Sequence, residues 1–160
     1  MTNANFDQEK AVEGILYLAN RLGTPDTHSI CRVFYHADRY NLERYGQSIA
    51  GDCYCAMEFG PVPSGAYDLL TERDDLGFRK DGLTVMPSRD ADTDWLSKAD
   101  VESLDRAIET HQHAEAPHGE AWQEAWSRRG DKRSVEMPME LVIKGLEDAD
   151  LLLDYLQGRP

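Results

Sequence analysis

The chain has 160 residues, 41% of them hydrophobic, enough to bury one core of ordinary size and too few for a second independent domain without crowding. Thirty acidic against seventeen basic side chains give a formal charge of −13, a field that repels phosphate backbones and disfavours direct nucleic-acid binding. No apolar run approaches the roughly 18 residues that span a bilayer, and MTNANFDQEK lacks a basic-then-apolar leader, so a cytoplasmic chain with no membrane partner is expected.

A first helix is predicted from Asp7 to Arg21, with Val12, Ile15, Ala19 and Leu22 in register and Gly23 placed to stop it. Thr24-Pro25-Asp26 reads as an N-cap, a proline at the first helical position and an acid in the first turn of a second helix. In that helix Ile30, Val33, Phe34 and Ala37 recur at three- and four-residue spacing, which predicts a buried face, and Gly46 ends it. Ile49, Cys53, Cys55 and Met57 fall at even intervals, as on one side of a strand running from about Ala50 to Glu58. Gly60-Pro61-Val62-Pro63 then predicts a turn, because two prolines remove backbone donors, with Ser64 capping a helix through Tyr67, Leu69 and Leu70.

GFRK and LTVM flank Asp81-Gly82, a pair suited to a tight hairpin that would join the earlier strand in one small antiparallel sheet. PSRDADTD reads as polar loop. Ser97 caps a helix carrying Val101, Leu104 and Ile108, with Asp100 in its first turn, and HQHAEAPHG breaks it. Glu120 to Arg128 forms a short helix with Trp122 and Trp126 on one face. RRGDKR is a basic turn, Met137-Pro138-Met139 interrupts regular structure, and Asp148 to Leu156 is helical with Leu151, Leu152 and Tyr155. The sum, over residues 1–160, is a mostly helical α+β domain with a small antiparallel sheet packed against helices.

Chemistry is sparse. His111, His113 and His118 crowd a proline-interrupted loop without the fixed helical spacing or nearby cysteine that a zinc site wants. Asp90, Asp92 and Asp94 open like a calcium loop, but Trp95 stands where the glycine belongs and Val101 where the bidentate glutamate does. Cys53-x-Cys55 has no second pair and is too close along a strand for a structural disulfide, which fits a reducing compartment. His36 and Asp38, two apart on a helix, point to different faces and form no dyad. No catalytic residue, metal or cofactor is therefore assigned. The enzyme alternative is a metal-dependent, hydrolase-type or acid/base enzyme using His28, His36 or the His111–His118 cluster with nearby carboxylates.

The stretch FYHADRYNLERYGQSIAGDCYCAMEFGPVPSGAYDLL resembles the Panacea domain of SocA-like antitoxins, whose pattern is a helix ending in an aspartate-aromatic-yG segment, a short strand, then GPVP. The resemblance extends over KAVEGILYLANRL before it and APHGEAWQEAW after it; past Lys132 none is claimed. It implies a non-enzymatic antitoxin that binds a cognate toxin encoded by an adjacent gene and occludes its working surface. Some members of the family also deliver the toxin to an ATP-dependent protease, and a phage-derived adaptor without a toxin is the remaining alternative. Asp38, Tyr45, Gly46, Gly60, Pro61 and Pro63 match the family pattern and read as architecture, and His118 with Trp122 resembles a family pair that docks the C-terminal part on the core. Arg39, Tyr40 and Arg44 are the candidate partner-binding residues, since arginine and aromatic side chains are favoured at interfaces.

Overall fold

The computed structural model describes residues 5–112 and 119–158. Helix α1 (Gln8–Leu22) begins where the Asp7 carboxylate accepts the Lys10 N–H at 3.1 Å and stops at Gly23, as the sequence predicts. Helix α2 (Thr27–Tyr45) starts later than predicted. Its cap is Asp26, whose carboxylate accepts the Ser29 N–H at 2.6 Å, and not Thr24. The cause is tertiary: Pro25 O accepts the Val85 N–H and the Thr27 N–H bonds to Leu83 O, which holds this segment extended beside a strand. Gly46 closes α2 in the left-handed conformation, φ 74°, with its N–H on Leu42 O. Ile30, Val33, Phe34 and Ala37 are all buried, as their spacing requires.

Strand β1 (Tyr54–Met57) is shorter than the predicted Ala50–Glu58 and shows the opposite face to the core: Tyr54 and Ala56 are buried while Cys53, Cys55 and Met57 are only partly so. GPVP is not a turn but strand β2 (Gly60–Pro63), paired antiparallel with β1. The prolines allow this because the Ser64 N–H bonds to Cys53 O at 2.8 Å, so donors at even positions face β1 and odd positions face away. Pro61 and Pro63 thus sit where the sheet has no neighbour, and all four residues of β2 are buried. An ordinary residue there would bury an unpaired N–H; proline has none to bury.

Helix α3 (Ser64–Glu72) follows directly. Ser64 does not cap it; its hydroxyl donates to Cys53 O, and the carboxylate of Asp52 accepts the N–H groups of Gly65 (2.8 Å) and Ala66 (2.9 Å) instead. Strands β3 (Phe78–Asp81) and β4 (Thr84–Pro87) form a hairpin whose turn pair is Gly82-Leu83, one residue later than predicted. The hairpin is a separate two-stranded sheet and does not join β1. Helix α4 (Lys98–His111) carries the predicted cap as a reciprocal box, Ser97 Oγ accepting the Asp100 N–H and Asp100 accepting the Ser97 N–H.

After α5 (Glu120–Ser127), strand β5 (Ser134–Met137) pairs antiparallel with β1 and completes a three-stranded sheet of order β2-β1-β5. Pro138 then starts the short α6 (Met139–Val142), so the Met-Pro-Met segment joins two elements where none was predicted, and α7 (Ala149–Leu156) ends the described chain. The result is a mostly helical α+β fold with small antiparallel sheets packed on helices. Two apolar clusters meet on α2. Ile30, Val33, Phe34 and Ala37 belong to the cluster of α1, α3 and α4; Tyr35 and Leu42 belong to that of β1, α5, β5 and α6. No helix among the described residues is long and apolar enough to cross a membrane.

Candidate functional site

The pattern residues of α2 divide by the direction in which they point. Asp38 points inward and is fully buried, where Oδ1 accepts the Ile49 N–H at 2.7 Å and Oδ2 accepts the Tyr54 hydroxyl at 2.5 Å. Burial pushes its carboxyl up to about 7, although both hydrogen bonds pull the other way; Asp52 and Asp100 add to the rise. Burial also raises the Tyr54 hydroxyl well above its ordinary range. One turn on, Asn41 donates to Gln47 O and accepts from Ser103 Oγ at 2.9 Å, which ties α2 both to the following loop and to α4. These bonds satisfy the buried carboxylate and amide of Asp38 and Asn41, whereas Arg32 Nε on the same helix is buried without a hydrogen-bond partner.

A second row faces α4. His36 stacks on His111 with ring centroids 3.6 Å apart, the Tyr40 hydroxyl hydrogen-bonds His111 Nε2 at 2.8 Å, and Arg106 lies over the Tyr40 ring at 4.1 Å. Burial drives His36 down to about 3, with the charges of His111, Arg39 and Arg32 adding to it, and lowers His111 as well. Two neutral rings can stack this closely; two imidazolium ions would repel. The exposed end of the row is Tyr45, whose hydroxyl donates to Glu102 at 2.7 Å, with the Arg44 guanidinium 5.8 Å from its ring.

Arg39 points toward the C-terminal part. Its guanidinium donates to Val142 O at 2.7 Å and Lys144 O at 3.0 Å, latching the end of α6 onto α2. Trp122 performs the matching task on the sheet, its indole N–H on Met57 O at 2.7 Å and its ring stacked on Trp126. Of the three arginine and tyrosine candidates, Arg39 and Tyr40 are thus engaged within the chain and Arg44 is exposed. His118 lies outside the described residues, as does His113. Among the described residues no group of three or more His, Cys, Asp or Glu side chains could hold a metal ion, and His28 stacks on Phe59 at 3.7 Å. The three cysteines are free.

Past Gly46 the surface changes character. Leu151 and Tyr155 on α7 are each 69% exposed. A cleft of about 430 Å³ runs between the end of α2 and α7, with Glu43, Glu147 and Asp148 among its walls. Gly46 makes room for it: a Cβ there would stand 3.3 Å from the Tyr155 ring. The sequence reading names Leu151 and Tyr155 as helical but places neither on a surface, because which side of α7 meets the core depends on β5 and α6, neither of which it predicts. It also misses Tyr54 and Asp52, since their partners Asp38 and the α3 N-terminus lie 16 and 13 or more residues away.

No curated protein and no solved structure matches the chain significantly. A family model, described as antitoxin SocA-like, Panacea domain, matches residues 31–122, more than half of the chain. That segment runs from α2 through the Asp38–Tyr54 bond, the GPVP strand and α4 to Trp122. The chain therefore belongs to the SocA-like antitoxin family and carries its Panacea domain.

Proposed function

We propose that this chain neutralises a cognate protein toxin, encoded by an adjacent gene, by binding it directly and covering its working surface, with no catalysis of its own. The family match over residues 31–122 carries the reading. The structure agrees with it in kind. Asp38 and Asn41 of α2 are held by internal bonds, and the exposed Arg44 and Tyr45 at its end are of the types that interfaces favour. The charge of −13 would speed encounter with a basic partner.

The test is growth of cells expressing each neighbouring open reading frame alone and together with this chain. Arrest that co-expression relieves, with the two proteins co-purifying in fixed ratio, is the expected result; absence of arrest from either neighbour would sink the reading. Following the toxin's lifetime after synthesis is stopped separates occlusion from delivery to an ATP-dependent protease. A stable, inactive complex means occlusion, and a shortened lifetime in the presence of this chain means delivery.

A further inference from the structure

Resting on that antitoxin reading, we propose that the cleft between the end of α2 and α7 is the toxin's docking site, and that the toxin enters it with an apolar side chain flanked by lysines or arginines. The argument starts from α7. Its inner positions Leu152, Leu153 and Leu156 are partly buried against the second apolar cluster. Leu151 and Tyr155, four apart and so on one stripe, stand 69% exposed each at the cleft mouth, the Tyr155 ring edge resting over Gly46. With Leu42 and Leu152 at the cleft wall they make one apolar strip between α7 and the end of α2, the kind of patch that marks an interaction surface.

The rim states the partner's charge. Glu43, Glu147 and Asp148 line the cleft, and among the described residues no lysine or arginine does. Glu43 is fixed in place by accepting the Glu147 N–H at 2.9 Å, and Asp150 continues the acidic edge along α7. A second copy of this chain would bring the same carboxylates against themselves, so charge disfavours self-association through this face and favours a basic segment of another protein. The family match ends at residue 122, so one wall of the cleft, with Glu43 and Gly46, lies inside the matched segment and the other, α7, lies beyond it.

The test uses the product of the adjacent reading frame whose expression arrests growth, in an inactivated form, titrated against the full chain. Leu151→Ser combined with Tyr155→Ser removes the strip from exposed positions, so circular dichroism and thermal midpoint should stay as in the parent while affinity falls about 100-fold and growth rescue is lost. Glu147→Lys combined with Asp148→Lys should weaken binding about tenfold at low salt and flatten its salt dependence. Affinity of the apolar variant within about threefold of the parent would place the toxin elsewhere and overturn this site while leaving the antitoxin reading intact. A parent chain that binds no growth-arresting neighbour would overturn both, and a parent dimer that the apolar variant dissociates would give the strip to a second copy.

Discussion

Asp38 accepts and Tyr54 donates the hydrogen bond that fastens α2 to β1, and both residues are buried. Removing the donor strands a buried carboxylate oxygen, so Tyr54→Phe is expected to cost about 2 kcal/mol. Asp38→Ala strands the Ile49 N–H and the Tyr54 hydroxyl together and opens a cavity, for about 3 kcal/mol or more. Tyr40→Phe, at a partly exposed hydroxyl, serves as the control and should cost under about 1 kcal/mol. Urea unfolding midpoints check the order; Tyr54→Phe as mild as Tyr40→Phe would contradict it.

The same centre predicts how stability follows pH. Asp38 is raised to about 7 in the folded chain against 3.8 for a free side chain, so folding retains a proton that the unfolded chain has released between those values. Its contribution is complete below about pH 4 and is lost as pH rises to about 7. His36 runs the other way. It is lowered to about 3 from 6.5, so the unfolded chain takes up a proton that the folded chain excludes, and stability is lost as pH falls below about 6.5. Each group gives at most about 1.4 kcal/mol per pH unit and the two largely cancel in the overlap. Asp38→Asn should therefore lose stability more steeply than the parent on acidification, and His36→Phe should gain relative to it. Denaturant midpoints taken between about pH 4 and 8 decide this; parallel curves for all three proteins would refute it.

Four helix ends were legible in the sequence because their signals are local, whereas the Thr24 and Ser64 caps gave way to Asp26 and Asp52. Asp7, the Ser97–Asp100 box, Gly23 and Gly46 act within a turn of their own residue. The sheet was less so. Prolines in GPVP exclude a strand only where a neighbour needs their N–H, and whether an edge is free depends on the whole topology. Cys53, Cys55 and Met57 alternate convincingly, yet Tyr54 decides which face turns inward, through a hydroxyl whose partner is 16 residues away. Strand β5 is a four-residue element opened by serine and carrying glutamate, with no apolar periodicity to announce it. Of the α2 candidates, the sequence identified the residues but not which were already occupied: Arg39 is held by Val142 and Lys144, both beyond the stretch that resembles the family.

Asp52 offers a third test. It caps α3 from outside the helix, taking the N–H groups of Cys53, Gly65 and Ala66 on one carboxylate. Asp52→Ala removes all three bonds and should destabilise the fold by about 2 kcal/mol, with hydrogen exchange at Gly65 and Ala66 accelerating first. Asp52→Asn retains an acceptor and should recover part of the loss. Unchanged exchange at those two amides in Asp52→Ala would show that the cap lies elsewhere.

Truncation after Lys132 provides a fourth. It deletes β5, α6 and α7, leaves β1 with an unpaired edge and uncovers Tyr35, Leu42 and Tyr54. The expected outcome is a chain that aggregates or elutes as high oligomers in size-exclusion chromatography, since an exposed edge beside apolar surface recruits other chains. A monomeric truncate with a cooperative melt would contradict this.

Because α2 forms a wall of both apolar clusters, Tyr35 and Leu42 on one side and Ile30 and Phe34 on the other share one rod. A partner that grips α7, and so firms the packing around Tyr35 and Leu42, is expected to steady the α1 side of the same helix as well.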